Sequence, residues 1–365
     1  MTVFNIKNSG WITKQYPLFL GEELGLYDSV NCCHKELFDV YKQQVSQRWV
    51  ETEFNHEQSR LDMVSCPKNI HDVMLLNLSF QFVLDSVASR AIAPLFAPFV
   101  TNSELWAALM ENSNMEVVHA LSYSEIVRQC VTNPDEVFKL SVQNDKTIQR
   151  AVKVVSVFDA LQKAGAEYTL GIRKNDQDTY NIVFKGLVAL YILERLQFMA
   201  SFAATFAVVE HGYFQSIGKM VQKIMLDEIF CHYTTDALAL KIELSTERGK
   251  VAMEQCKDEI LEMIAEVTKQ EHQWSEYLFS EGRAIVGLNA TLLNEWVDYN
   301  TQAVYDGLGL SENIPFQRVK ENPLKWMDNW IEIDKFQNAQ QEADGNFNVT
   351  RERFPQTNEQ TVRFK

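Results

Sequence analysis

Proline and glycine are scarce in this sequence. The 365 residues include 14 glycines and 8 prolines, and no proline falls between Pro134 and Pro315. Because proline breaks helices and glycine weakens them, this scarcity favours a large helical body. Hydrophobic residues make up 46% of the chain, including 22 phenylalanines and 7 tryptophans, which is enough to fill a core between long helices. The sequence predicts an ordered, all-α protein.

Positive charge and paired cysteines are also lacking. The formal net charge is -15, so a nucleic acid or an anionic membrane surface would repel the chain and is not expected as a partner. The six cysteines show no Cys-x-x-Cys spacing, and Met1 to Leu20 lacks the basic and apolar segments of a cleavable signal. These features favour a reduced, cytoplasmic location.

A long uninterrupted apolar run is missing as well. The most apolar region, Gly186 to Val209, carries Glu194, Arg195 and Gln197 near its middle. The run that remains, Phe198 to Val209, is well short of the about 20 residues that a transmembrane helix needs. We therefore expect a buried helix and no membrane.

One short stretch carries residues that are typical of a metal site. Glu116 to Tyr123 has the sequence Glu-Val-Val-His-Ala-Leu-Ser-Tyr. On a helix, Glu116 and His119 stand at i and i+3, and Tyr123 follows four residues later, so all three project to the same side. A carboxylate and an imidazole at this spacing can bind one metal ion.

Three further predicted helices supply matching residues. They are a helix from about Asn69 to Ile92 with Asp85, the apolar helix with Glu194, and a helix from about Tyr213 to Leu244 with Glu228 and His232. Along the chain, the four helices supply one carboxylate, then a carboxylate with a histidine, then one carboxylate, then again a carboxylate with a histidine. Ferritin-like di-iron and di-manganese bundles have this arrangement. The sequence therefore predicts a ferritin-like helical bundle with additional helices.

Burial separates this hypothesis from a simpler one, because a single Glu-x-x-His pair is more often ordinary surface chemistry. Asp85 and Glu194 lie in apolar helices, where an ionised carboxylate without a partner costs several kcal/mol. Four buried carboxylates without partners would cost as much free energy as the whole folding stability of a typical domain. Two cations resolve the conflict, and oxygen-rich sites with one imidazole per metal suit iron or manganese better than zinc.

Apolar residues accompany the predicted ligands. Phe198 and Phe202 follow Glu194 by four and eight residues, and Ile224 precedes Glu228 by four, so all three share ligand-bearing faces. They are either ordinary core residues or a dry wall that would protect a radical at Tyr123 from solvent.

The ends of the chain differ from its middle. An amphipathic stretch from about Cys33 to Trp49 predicts an N-terminal arm, and the polar segment Gly171 to Tyr180 predicts a surface loop. From about Gln337 the sequence is polar and rich in Asn and Gln. We expect one di-metal domain over residues 1–336, followed by a flexible tail over 337–365.

Short motifs of one known family occur along nearly the whole sequence and include Leu84-Asp85-Ser86, Glu116-Val117-Val118-His119, Ser122-Tyr123, Leu193-Glu194, Ser201-Phe202-Ala203, Asp227-Glu228, Gly287-Leu288-Asn289, Pro315-Phe316-Gln317 and Asn322-Pro323. On these motifs the sequence resembles the radical-generating small subunit of class I ribonucleotide reductase, and most of all the type found in enterobacteria and their phages. So many short matches in one order make the resemblance specific.

The resemblance implies a homodimer in which each chain holds a dinuclear iron centre, with manganese as the other candidate. Dioxygen would oxidise Tyr123 to a stable radical at this centre. The radical would pass to a large subunit, docked through the C-terminal tail, where ribonucleotides are reduced to deoxyribonucleotides. The chain would thus be the small subunit of ribonucleoside-diphosphate reductase.

The resemblance also implies individual roles. The implied ligands are Asp85, Glu116, His119, Glu194, Glu228 and His232. Trp49 matches the family's radical-transfer tryptophan, and Asp227 matches the aspartate that links it to His119. Taken by itself, Trp49 is equally a packing residue of the arm.

Two departures from the family pattern stand out. Glu228 and His232 are separated by three residues instead of two, and Cys231 occupies the position where an ungapped match expects histidine. A π-bulge would absorb the extra residue. In the tail, Phe347 falls where the family has a relay tyrosine, and phenylalanine has no ionisable hydroxyl.

These departures keep two other hypotheses open beside the reductase subunit. One is a ferritin-like di-metal oxidase or oxygenase that acts on its own small substrate. The other is a non-catalytic partner protein with a decayed metal site.

Overall fold

Helices dominate the described part of the chain. The computed structural model describes residues 5–10, 16–22 and 26–332. Over these ranges the only β-type pairings are two isolated bridges, Phe19 with Val100 and Ile285 with Leu288. The prediction of an all-α fold is confirmed.

Fourteen α-helices follow one another along the described residues. They are α1 (Lys35–Ser46), α2 (Glu57–Ser65), α3 (Lys68–Ala91), α4 (Ala93–Phe96), α5 (Ser103–Cys130), α6 (Pro134–Gln143), α7 (Asp145–Thr169), α8 (Gln177–Ile192), α9 (Phe198–Val209), α10 (Gln215–Asp227), α11 (Tyr233–Ser245), α12 (Glu247–Leu278), α13 (Ala290–Gly307) and α14 (Asp328–Ile331).

Two pairs of helices are continuous through a π-helical turn. Leu193–Gln197 joins α8 to α9, and Glu228–His232 joins α10 to α11. Each π turn contains predicted ligands, Glu194 in the first and both Glu228 and His232 in the second. The bulge that the spacing of Glu228 and His232 predicted is therefore present.

Four long helical rods form the bundle at the centre of the molecule: α3, α5, α8 continued by α9, and α10 continued by α11. Helix α3 packs against α5 and α9, α9 packs against α10, and α11 packs against α8. Helix α5 closes the ring through its contacts with α10 and α11. The helices α7, α12 and α13 cover the outside of α8 and α9, and α1 lies across α5 and α11. All four predicted ligand-bearing helices therefore line one core.

The apolar helix is inside this core. Gln177–Val209 is the one stretch among the described residues that is long and apolar enough to cross a membrane, and 94% of its most apolar window is buried. The prediction of a buried helix over Gly186 to Val209 is confirmed.

One local prediction was wrong. The segment Gly171 to Tyr180 does not stay a surface loop to its end, because α8 begins at Gln177. The Oδ1 atom of Asp176 accepts a hydrogen bond of 3.0 Å from the backbone N–H of Thr179 and caps this helix. Tyr180 is consequently buried. The predicted tail, 337–365, and with it Phe347, lies outside the described residues.

Candidate metal centre

Helix α5 carries the first ligand pair on its buried face. Its N-terminus is fixed by Asn102, whose Oδ1 accepts a hydrogen bond of 2.8 Å from the backbone N–H of Leu105. Glu116, His119 and Tyr123 are all buried. Because residues at i, i+3 and i+7 share one side of a helix, these three side chains enter the bundle core together.

The second ligand pair meets the first. Glu116, His119, Glu228 and His232 each offer one ligand atom, and these four atoms lie within 4.8 Å of one another. The Nδ1 atom of His232 is 2.8 Å from Oε1 of Glu116 and 3.0 Å from Oε2 of Glu228. The Nδ1 atom of His119 is 3.2 Å from Oε1 of Glu228. Two helices separated by about a hundred residues thus form one buried donor set.

Asp85 and Glu194 complete the predicted set. Both are fully buried. Oδ1 of Asp85 is 3.6 Å from Nδ1 of His119. The negative charges of Glu228 and Glu116 act on Glu194. All six predicted ligands therefore face the same region of the bundle.

The π turn explains how His232 reaches this site. In a regular α-helix, the extra residue would move His232 from about 60° on one side of Glu228 to about 40° on the other side. The wider π turn absorbs that residue, so His232 points at the cluster. Cys231 is buried beside it, but its Sγ is not among the clustered ligand atoms of the described residues.

The electrostatics of the cluster fit bound cations. Both oxygens of Asp85, Glu116, Glu194 and Glu228 are buried, and outside the cluster itself no described residue donates a hydrogen bond to them. Burial, followed by the neighbouring carboxylates, raises the pKa of Asp85 and of Glu194 well above the ordinary range. A cluster that retains protons in this way is one that divalent cations can occupy by displacing them.

The histidines show the complementary effect. Burial alone would lower the pKa of His232, but the carboxylates of Glu228 and Glu116 raise it to about 10. The positive charge of His232 in turn holds the pKa of Glu228 well below its usual range, against the effect of burial. Without metal, the imidazoles would stand in for the cations.

Each histidine is oriented by a polar side chain at Nε2, the ring nitrogen that points away from the cluster. Nε2 of His119 is 3.1 Å from Oδ2 of Asp227, which also accepts a hydrogen bond of 2.7 Å from Nε1 of Trp49. The Trp49 ring stacks on the His119 ring at 5.9 Å. An acceptor at Nε2 fixes the tautomer that leaves Nδ1 free as a ligand atom. Trp49, Asp227 and His119 therefore form one hydrogen-bonded series.

Gln44 has the corresponding position behind His232 and was missed from the sequence. Its side-chain amide lies 2.7 Å from Nε2 of His232, and its Oε1 has no partner among the described residues. Because the amide oxygen and nitrogen can be exchanged by a flip, Gln44 can accept the Nε2 proton of a metal-bound His232. No sequence signal distinguishes this buried glutamine of α1 from other helical glutamines.

Comparison with known proteins assigns the chain to a family. The family model for the ribonucleotide reductase small chain matches residues 28–323. The chain belongs to this family.

Two relatives align with more than nine tenths of this chain. The "Ribonucleoside-diphosphate reductase subunit beta" of Buchnera aphidicola subsp. Schizaphis graminum is 28% identical, with 94% of this chain and 93% of the relative covered. The subunit of the same description from Enterobacteria phage T4 is 27% identical over the same shares. This small chain is thus similar to subunits of an oxidoreductase.

A solved structure supports the fold. A ribonucleotide reductase R2 subunit from Clostridium botulinum superposes with a TM-score of 0.77 and 20% identity, covering 91% of this chain and 98% of that one. The prediction of a ferritin-like bundle with additional helices is confirmed.

Tyr123 of this ribonucleotide reductase small chain lies beside the cluster in an apolar setting. Its hydroxyl has no partner among the described residues. Burial, and then the charges of Asp85, Glu228 and Glu116, raise its pKa well above 10.0, so the phenol keeps its proton at neutral pH. Phe198, Phe202 and Ile224 are fully buried in the same hydrophobic core.

The small chain has one more acid at this site, Asp236, which the sequence analysis missed. It is buried, and neither of its oxygens has a partner among the described residues. Burial raises its pKa well above the ordinary range, and the charges of His232, Glu228 and Glu116 act on it. An Asp in the middle of a mixed sequence such as Tyr-Thr-Thr-Asp gives no signal by itself.

Proposed function

We propose that this chain binds two metal ions in the buried cluster, forms a radical on Tyr123 and passes it to the large subunit of a ribonucleoside-diphosphate reductase. The observation that carries the proposal is the convergence of six unpartnered or partly partnered ligand residues beside a buried phenol. Asp85, Glu116, His119, Glu194, Glu228 and His232 are the proposed ligands. Family membership favours this function over an independent oxidase and over a decayed partner protein.

Iron is the proposed metal, with manganese as the other candidate. Carboxylate oxygens with one imidazole per ion suit both metals, and among the described residues the cluster contains no thiolate and no third imidazole that would favour zinc. When bound in the reduced state, the two metals supply the electrons for the activation of dioxygen.

The protein's own part in the oxidation is to hold Tyr123. The phenol would lose one electron to the oxidant that the metals and dioxygen supply, and its Oη proton would move to a base at the cluster, where the charges of Asp85, Glu228 and Glu116 act on that hydroxyl. Tyr123 is buried in the same hydrophobic core as Phe198, Phe202 and Ile224, and in this proposal these residues keep water away and so protect the radical from reduction by solvent-borne agents.

In this proposal the radical leaves the site through the hydrogen-bonded series His119, Asp227 and Trp49. Successive polar atoms are 3.1 Å and 2.7 Å apart, so an electron and a proton can move together along hydrogen bonds. Trp49 is buried, but the next residue, Val50, is about half exposed, which puts the end of the route just below the surface. The further steps in the tail, 337–365, lie outside the described residues.

A second copy of the chain is the other proposed partner. The outer face of α5 carries Met110, Val117 and Leu121, spaced by seven and four residues and each about half exposed. A contiguous apolar stripe on a long helix is stabilised when a copy of the same helix covers it. Sedimentation of the full chain is expected to give the mass of a dimer, and a concentration-independent monomer would contradict this part of the proposal.

The radical is tested by substitution of Tyr123. After loading with iron(II) and exposure to oxygen, the wild-type chain is expected to show a tyrosyl radical signal by electron paramagnetic resonance. Tyr123→Phe should bind the same amount of metal and show no signal, because phenylalanine cannot be oxidised at this potential. Tyr305→Phe, at another buried tyrosine, is the matched control and should keep the signal. A signal that persists in Tyr123→Phe rules out the assignment.

The exit route is tested by Trp49→Phe. The smaller ring keeps an aromatic neighbour for His119 but removes the Nε1 donor to Asp227. Radical yield at Tyr123 should stay near that of the wild type, while deoxyribonucleotide formation with the large subunit falls by about a hundredfold or more, as expected when a positioned proton-transfer group is lost. Full activity of the variant would show that the radical leaves by another path.

A further inference from the structure

Asp236 on α11 is a buried acid that the proposed ligand set leaves unused. It is 1% exposed, and both carboxylate oxygens are without a hydrogen-bond partner among the described residues. Leaving such a group unpaired in a protein core costs several kcal/mol. A buried acid of this kind needs either a proton that it never loses or a cation.

The π turn determines where Asp236 points. Asp236 follows Glu228 by eight residues, which in a regular α-helix would place it about 80° away from the direction of Glu228. Because the π turn Glu228–His232 absorbs one residue, the effective separation is seven, or two full turns to within about 20°. The bulge that brings His232 to the cluster therefore also places Asp236 in line with Glu228.

The surroundings agree with this direction. Asp236 stands four residues after His232, one turn further along the same rod. Electrostatic effects link it to His232, Glu228 and Glu116, and link Glu194 to it in turn. Together with the helical register, these effects place Asp236 near Glu194, Glu228 and His232.

We propose that Asp236 is a fifth carboxylate of the metal centre and strengthens binding of the cation held by Glu194, Glu228 and His232. This inference rests on the proposed function, since it needs the cluster to bind metal. Four ligand carboxylates already balance two divalent cations. A fifth carboxylate adds negative charge around the cation held by Glu194, Glu228 and His232. This charge strengthens binding of that cation and favours a higher charge on the metal.

The experiment measures metal affinity without turnover. Full-length chain, freed of metal by chelation, is titrated with manganese(II) under nitrogen, and the free ion is quantified by its electron paramagnetic resonance signal. Wild type should bind two equivalents. Asp236→Asn, a neutral isostere, should bind one of the two equivalents at least about tenfold more weakly, in the range seen when groups supporting a metal site are removed.

Asp62→Asn is the matched control. Asp62 is also a buried aspartate, but Gln58 and the backbone N–H of Phe214 donate hydrogen bonds of 3.0 Å and 2.8 Å to it. This variant should bind manganese(II) like the wild type and have a lower melting temperature. Asp236→Asn should melt no lower than the wild type when metal-free, because it loses an unpartnered acid, and should gain less melting temperature on metal addition.

The outcomes separate the two proposals. If Asp236→Asn binds both equivalents within about twofold of the wild type, or destabilises the metal-free chain as Asp62→Asn does with binding unchanged, Asp236 is structural and the inference fails alone. If the wild-type chain itself binds neither manganese(II) nor iron(II), the proposed function fails as well.

Discussion

His232 illustrates what the sequence can and cannot say about a single residue. Its type and its place on the ligand-bearing face follow from the helical period, and the structure places its Nδ1 within 3.0 Å of Glu116 and Glu228. The helical period does not predict that Gln44 contacts His232 or that the acid Asp236 lies nearby, because the first depends on the orientation of α1 and the second on the π turn. Side chains whose roles come from tertiary packing leave no periodic signal.

The titration of this cluster predicts how the metal-free protein responds to pH. The folded pKa of His232 is about 10, above the unfolded value of 6.5, so its stabilising effect is complete below pH 6.5 and is lost as the pH rises toward 10. The raised pKa values of Asp85 and Glu194 act with the same sign, since the folded chain holds protons that the unfolded chain has released.

We therefore expect the melting temperature of the metal-free chain to fall between about pH 6.5 and about pH 9, with a loss of about 1.4 kcal/mol per pH unit for each extra proton held. Calorimetry at both ends of this range measures the effect. His232→Gln should flatten the profile, and so should saturation with metal. A metal-free wild-type profile that is flat or rises with pH would contradict the electrostatic description of the cluster.

At the scale of elements, the helical period predicted most of the bundle. The predicted helix from about Asn69 to Ile92 corresponds to α3, Lys68–Ala91, which ends three residues before Pro94, the first of two prolines. The loop over Gly171 to Tyr180 was predicted too long, because its polar residues Asp176 and Thr179 form a helix cap instead. The π turn at Leu193–Gln197 was missed, since Glu194 has no histidine beside it whose spacing would reveal a bulge.

The second π turn makes a prediction about deletion. Removing Phe230 shortens Glu228–His232 by one residue, which should convert the π turn to an α turn while leaving α11 in phase with the core. This variant should fold and bind two metals. Deleting Thr234 is the matched control: it lies in regular helix, so the residues after it, including Leu240, rotate by about 100° out of the core.

Circular dichroism melts and metal analysis distinguish the two deletions. The Thr234 deletion should be destabilised by several kcal/mol through loss of buried apolar contacts. Equal damage from both deletions would mean that the extra residue is not accommodated by the π turn.

For the molecule as a whole, fold and metal site were predicted from the same residues. Buried acids in apolar helices are costly enough that cations were expected before any geometry was known, and the six side chains do converge. What the amino-acid pattern leaves open is the metal itself, because iron and manganese prefer the same ligands. The boundary of the tail at residue 337 stays a prediction.

Anomalous diffraction from crystals of the full chain loaded with iron tests the central claim most directly. Data collected on both sides of the iron absorption edge should show two peaks about 3.5 to 4 Å apart within the cluster, as in other two-metal sites. One peak should contact Nδ1 of His119 and the other Nδ1 of His232. Absence of both peaks, or a metal bound by Sγ of Cys231 in place of His232, would contradict a two-metal centre built on these six residues.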